Sequence, residues 1–354
     1  MAETVDNARM DRLSHDVIQV DDDLRVGVTW GGRGIPLVLL HGFGAETRLY
    51  AQSSSRLTEL GVRVIGIDLP GHGESPPLPG RSGVREWAGV VADTLDHLGV
   101  RHCLVAGHST GGRVATELAV LRPELVSSLV LIDAIVGAAW DRRRDTLLRF
   151  PPALLPYMAG FVIDCADTAP PHRDREQARK LRRLAAPVLG RKIRRPGWIT
   201  SGVSSVLLSP PSAPTLDRIR ANGTHATVLH GERDLIVPLE CGRDAACRLD
   251  AELVVIRRAR HSWVLDCPQT LPVLVDGLLA GAVGEAISRV AHGAGVRRAL
   301  PTLEELESVC YRPDARVLGF PSVRRLVHPV DHPPRYDWTV EVPSPKTRDA
   351  SALG

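Results

Sequence analysis

The 354-residue chain reads as an α/β protein: a doubly wound, mostly parallel sheet with an inserted helical cap and a C-terminal extension. Three observations predict this. Short, predominantly apolar runs at residues 36–40, 62–67, 102–106 and 126–132 alternate with helical segments, the rhythm of parallel strands buried on both faces. Between 135 and about 215 that rhythm stops in a stretch rich in proline and arginine, then resumes. From about 291 it stops again, and prolines crowd the residues beyond Pro329.

In order along the chain, residues 17–20 and 24–30 alternate apolar with polar and predict a half-exposed antiparallel hairpin at a sheet edge. The run at 36–40 is continuously apolar and opens into His41-Gly42-Phe43-Gly44. A helical segment leads to about Leu60, and the strand at 62–67 ends in Asp68-Leu69-Pro70-Gly71-His72-Gly73-Glu74-Ser75. Residues 84–98 place Trp87, Val90, Val91, Leu95 and Leu98 on one helical face. The strand at 102–106 then delivers Gly107-His108-Ser109-Thr110-Gly111-Gly112, followed at once by helical spacing at Val114, Ala115, Leu118 and Ala119. The strand at 126–132 ends at Asp133.

After the interruption, 226–229 runs into His230-Gly231-Glu232-Arg233-Asp234. A helix at 239–249, a strand at 253–256, a loop carrying His261 and one last core helix over about 270–290 complete the pattern. Residues 302–308 begin like a capped helix and 317–320 resemble a strand, yet the extension is expected to be a partly disordered appendix. The expected division is 14–134 and 216–290 for the two parts of the core, 135–215 for the cap and 291–354 for the extension.

Composition narrows the function. A hydrophobic fraction of 44%, a charged fraction of 24% and a net charge of +3 describe a globular chain with no global electrostatic case for nucleic acid. The six cysteines show no zinc-type spacing and read as reduced thiols. No Gly-x-Gly-x-x-Gly follows a strand, which argues against cofactor-dependent redox, and with no metal-type Cys/His spacing neither a cofactor nor a metal is expected. The N-terminus carries charges throughout, pointing to the cytoplasm, and the longest uncharged apolar run, 150–163, holds three prolines and is too short to span a bilayer. Charge is nonetheless segregated. Residues 135–215 hold fourteen Arg and Lys against six Asp and Glu, a net +8, leaving −5 elsewhere. That excess suits a solvated outer face, or an anionic substrate or acidic surface. The apolar residues within 150–162 read either as an acyl pocket or as the cap's own core.

A serine between two glycines, placed between a strand and a helix, sits on a sharp turn with its hydroxyl pushed out of the sheet. With the other loops, the chain resembles the α/β-hydrolase family over about residues 14 to 290, most closely its cap-bearing esterase, lipase and perhydrolase-like branch. The resemblance identifies His41-Gly42-Phe43-Gly44 with the oxyanion loop and Gly231 to Pro238 with the acid loop. It identifies His261, followed by Asp266 and Pro268, with the base loop, although Arg260 stands where the family usually has glycine.

A serine hydroxyl needs a base and a third group that orients the base. The chain supplies Ser109, Asp234 and His261 in the order this fold uses. The backbone N–H groups of Phe43 and Thr110 are the candidate oxyanion donors. Asp133 also ends a strand and competes with Asp234 for the acid role. His41, His72 and His108 are expected to hydrogen-bond loop backbone, Cys103 to lie in the core, and His328 and His332 near Asp331 not to form a metal site.

The expected activity is hydrolysis of a carboxylic ester through an acyl-enzyme. Alternatives are a thioesterase or acyltransferase with the same triad, a perhydrolase-type activity, and a non-catalytic receptor or scaffold. The expected partner is a small acyl ester or thioester. Epoxide hydrolases and haloalkane dehalogenases are set aside, because they place an aspartate where this chain has Ser109.

Overall fold

The computed structural model describes residues 13–80, 82–168, 174–194, 207, 209–320 and 334–343. A nine-stranded sheet forms from β1 (Ser14–Gln19), β2 (Arg25–Gly32), β3 (Ile35–Leu40), β4 (Val62–Ile67), β5 (Cys103–His108), β6 (Val126–Ile132), β7 (His225–Gly231), β8 (Glu252–Ile256) and β9 (Trp338–Glu341). The spatial order is β1-β2-β4-β3-β5-β6-β7-β8-β9. All pairings from β4 to β8 are parallel, and β1, β2 and β9 pair antiparallel. Every residue of β3, β4 and β5 is buried, Arg63 and His108 included, as suits predominantly apolar strands covered on both faces.

The helices are α1 (Ala51–Leu57), α2 (Val84–Leu98), α3 (Thr110–Leu121), α4 (Ala138–Arg149), α5 (Leu154–Asp167), α6 (Arg175–Arg194), α7 (Ala213–Ala221), α8 (Leu239–Leu249), α9 (Trp263–Asp266), α10 (Thr270–Ala280), α11 (Ala282–Gly293) and α12 (Leu303–Cys310). One set, in which α2 meets α3, α3 meets α7 and α7 meets α8, is separate from a second in which α1 meets α10, α10 meets α11 and α11 meets α12. Two helical layers thus enclose one core. The chain leaves β3 for β4 on one side and then returns to β5 on the other, so the loops after β3 and β5 border the crevice at this reversal of winding.

Four expectations are corrected. The last core helix is two helices, α10 and α11, bent by 50°, because Gly281 takes an extended conformation (φ −117°, ψ −132°) between them. Residues 317–320 form no strand; a 3₁₀ turn spans Arg316–Gly319. The expected hairpin is half-buried only in β1, since β2 is covered by its pairing with β4 and is buried beyond Arg25.

The region beyond 291 is no appendix over its described parts. Cys310, Tyr311, Ala315 and Val317 enter the main core, Tyr311 Oη donates to the Gly34 carbonyl at 2.7 Å, and Phe320 stacks on Trp30 with centroids 4.3 Å apart. Val309-Cys310-Tyr311 is too short an apolar run to announce an element, and Ala315 stands alone among polar residues. The histidines at 328 and 332 lie outside the described residues.

Candidate active site

Ser109 follows β5 and precedes α3 with φ 53° and ψ −117°, a left-handed conformation that costs a non-glycine residue on the order of 1–3 kcal/mol. The neighbours hold it there. Its N–H donates to the Ile132 carbonyl at 2.8 Å and its carbonyl accepts from Gly112 at 3.0 Å. The flanking glycines answer a close approach: a Cβ on Gly111 would stand 2.2 Å from the Leu40 carbonyl oxygen, and one on Gly107 would stand 2.5 Å from that of Gly111. Thr110 is the first residue of α3, so its N–H has no acceptor one turn back and lies at the positive end of the helix dipole.

Asp234 follows β7 and is buried. Its Oδ1 accepts the N–H groups of Ile236 and Val237, both at 2.8 Å, which turns Oδ2 toward His261. His261 Nδ1 donates to that oxygen at 2.7 Å. Burial opposes a charge on His261, yet the charge and hydrogen bond of Asp234, with Asp133 behind it, carry its pKa up to about 9. Burial likewise opposes ionisation of Asp234, but the charge and hydrogen bond of His261 override it and hold the carboxyl below its ordinary range.

Asp133, the rival acid, does not bond His261. Its Oδ1 accepts from Gly231 N–H at 2.7 Å and its Oδ2 from Trp263 Nε1–H at 2.6 Å. It ties β7 and α9 together. Complete burial, together with the nearby charge of Asp234, pushes its pKa well above the usual carboxylate range. His230 has an atom within 4.8 Å of both carboxylates, a geometry that could hold a cation. Its Nε2–H is already given to the Val237 carbonyl at 2.8 Å, and the Asp133 and Asp234 oxygens carry the bonds just described.

The loop after β3 is fixed from three sides. His41 Nδ1–H donates to the Gly42 carbonyl at 2.9 Å, and its Nε2 accepts from Leu69 N–H at 2.9 Å. His72 Nε2 accepts from Gly44 N–H at 3.3 Å, and the His72 ring meets Phe43 edge-on, with centroids 6.1 Å apart. Gly42 N–H reaches Tyr50 Oη at 3.3 Å, and the Tyr50 hydroxyl donates to His108 Nδ1 at 2.7 Å. His108 Nε2–H donates in turn to the His261 carbonyl at 3.1 Å. This chain of bonds links the loops bearing Phe43, Ser109 and His261. Burial drives His41 down to about 4 and His72 and His108 to about 3, so all three stay neutral, as this bonding requires.

Tyr50 escaped the sequence reading. It lies in the 3₁₀ turn Thr47–Tyr50, and its one signal was a lone aromatic after the glycine-rich loop. The segment between β6 and β7 also reaches this site. Arg191 of α6 pairs with Glu46 and lies 3.6 Å from Glu74, while Asp164 of α5 accepts from the Ser262 N–H at 3.2 Å. Arg260, the departure from the glycine pattern, pairs with Asp167 at 2.8 Å. A cleft of about 330 Å³ opens beside the base loop, lined by Asp164, Arg233, Arg260, Ser262, Trp263 and Arg335 among others.

The family model described as the alpha/beta hydrolase fold matches residues 35–266. The chain belongs to the α/β-hydrolase family. Relatives of this hydrolase include a protein of Mycobacterium phage D29 named as a candidate non-heme haloperoxidase, 32% identical over 74% of this chain and 94% of that protein. A 2-hydroxymuconate semialdehyde hydrolase of Pseudomonas putida is 27% identical over 71% of this chain and 89% of its own. Among solved structures, a protein of Acinetobacter baumannii described as a candidate lipase covers 80% of this chain and 96% of its own at TM-score 0.61 and 21% identity. An esterase of Thermogutta terrifontis covers 75% and 98% at TM-score 0.57 and 21% identity, and both share the fold.

Proposed function

We propose that this α/β-hydrolase cleaves a carboxylic ester through an acyl-enzyme, with Ser109 as nucleophile, His261 as base, Asp234 as its orienting acid, and the Phe43 and Thr110 N–H groups as oxyanion donors. The observation that carries this reading is the 2.7 Å bond from His261 Nδ1 to Asp234 Oδ2. With Nδ1 holding its proton for Asp234, Nε2 of the neutral imidazole is the basic nitrogen. It takes the Ser109 proton as Oγ attacks the ester carbonyl, and returns that proton to the departing alkoxide. Water then repeats the sequence on the acyl-enzyme, regenerating Ser109 and releasing the acid. Helix α3 favours the negative charge that develops on the carbonyl oxygen. The described parts of the segment between β6 and β7 act as a cap over this site, anchored through Arg191 and Asp164.

A second reading replaces water by hydrogen peroxide, so that the acyl-enzyme yields a peracid. The similarity to the phage protein favours including it. One experiment tests the shared chemistry. Intact mass after fluorophosphonate treatment should show one adduct on the wild type and none on Ser109→Ala, with ester turnover falling by about 10⁴-fold or more in the variant. A folded wild type that takes no adduct would refute both readings and favour a non-catalytic receptor. Peracid formation from acetate and peroxide then separates the two.

A further inference from the structure

The segment between β6 and β7 carries an apolar surface that the catalytic reading does not use. Helix α5 touches the body along a narrow stripe: Gly160, where a Cβ would lie 3.3 Å from Leu235, and Asp164, bonded to Ser262. Around that stripe Leu155, Met158, Phe161, Val162 and Ile163 are exposed, Leu155 at 74% and Val162 at 61%. Among the described residues they enclose no acyl pocket of their own, because each is exposed. Nor do they form a core of the inserted segment. Of the fifteen large hydrophobic side chains exposed among the described residues, nine fall between Leu148 and Ile193. Isolated exposed leucines are ordinary, but a cluster of this kind marks a contact surface.

Charge decides what it contacts. The same segment carries the net +8 noted above, and Arg142, Arg149, Arg179, Arg182 and Arg183 are exposed. On α6, Arg182, Ala186, Leu189 and Ile193 follow at helical intervals along one exposed stripe, from basic to apolar. A second copy of the chain docking by this face would bring two strongly positive segments together. An anionic bilayer surface would instead attract the guanidinium groups and accept the apolar side chains just below its headgroups. No single helix among the described residues is long and apolar enough to cross a membrane, so the contact lies along the surface.

We infer that α5 and the basic face of α6 dock this hydrolase onto an anionic lipid surface. The inference stands apart from the ester reading, since neither a substrate nor Ser109 enters it.

The test is co-sedimentation of the full chain with vesicles of phosphatidylcholine alone or mixed with phosphatidylglycerol. Binding should be about tenfold or more stronger to the anionic vesicles and should fall in about 0.5 M sodium chloride. Leu155→Glu with Val162→Glu should abolish it, and Arg179→Glu with Arg183→Glu should weaken it about tenfold, with thermal midpoints by circular dichroism near that of the wild type. Should the first double variant fail to fold, the second carries the test alone. Equal binding to both vesicle types, or none, overturns the inference. So does a solution dimer that Leu155→Glu with Val162→Glu splits, since that assigns the face to a second copy.

Discussion

The central sheet and the segment inserted between β6 and β7 use apolar residues in opposite ways. In β3 and β5, Leu37, Val38, Leu39, Leu40, Leu104 and Val105 are all but sealed from water, each worth about 1.5–3 kcal/mol of burial. In α5, side chains of the same kind face outward. Polar groups divide the same way. Around Ser109, loop is tied to loop by buried bonds through Tyr50, His108, Asp133 and Asp234. The inserted segment is tied to the loops after β3 and β8 through a few anchors such as Arg191, Asp164 and Asp167. The difference teaches that the sheet was shaped by what it must hold still, whereas the insertion was shaped by what it meets.

Substitutions should separate the two regions by size of effect. The largest is expected at Asp234→Asn, which presents the wrong tautomer partner to His261 and should lower kcat by about 10³–10⁴-fold. It should also move the acidic limb of the pH profile. In the wild type, kcat/KM for a neutral ester should rise with pH through an apparent pKa above the ordinary 6.5, because Asp234 holds the proton on His261 up to about 9. The same pairing stabilises the fold fully below pH 6.5, and that contribution is lost as pH rises through the His261 value. An acidic limb unmoved in Asp234→Asn would mean that Asp234 does not set the base.

Next comes Leu129→Ala, a fully buried position in β6, expected to cost about 2–5 kcal/mol in denaturant unfolding. Tyr50→Phe removes the bond to His108 and the acceptor of Gly42 N–H, for about 1–3 kcal/mol of stability. Its kinetic signature should be a lower kcat with little change in KM, since the loop after β3 loses its tie to His108, the neighbour of the proposed nucleophile. A wild-type kcat would show that tie to be structural alone. The smallest effect is expected at Leu155→Ser, within about 0.5 kcal/mol of wild type. A loss as large as that of Leu129→Ala would break the contrast, placing α5 in a core.

Much of this was legible before any coordinates, and the parts that were share a cause. Residues 126–132 and 84–98 coincide with β6 and α2, because a short, mostly apolar run and a 3.6-residue stripe each have one good way to be buried. Ser109, Asp234 and His261 stand out in the sequence because glycines and strand ends mark sharp turns, and the fold brings His261 within hydrogen-bond distance of Asp234. The choice between Asp234 and Asp133 was less so. It depends on which carboxylate has a free oxygen after the backbone is served, and both Asp133 oxygens are taken by Gly231 and Trp263. Tyr50 and Tyr311 were illegible because each acts through hydrogen bonds to residues distant along the chain, which leave no periodic trace. The break at Gly281 hid because Leu278 and Val283 continue an apolar pattern across it.

Strand β9 has a consequence beyond the site. By pairing with β8 from Leu253↔Glu341 to Ile256↔Trp338, it occupies the N–H and C=O groups that the last parallel strand would otherwise offer to any passing chain. Leu253-Val254-Val255-Ile256 is the kind of segment that recruits strands from other molecules when left bare. The four residues of β9 thus act as a selvedge, finishing the edge of the sheet so that it does not unravel into an aggregate. A chain shortened before Trp338 should keep its nucleophile turn and lose its solubility.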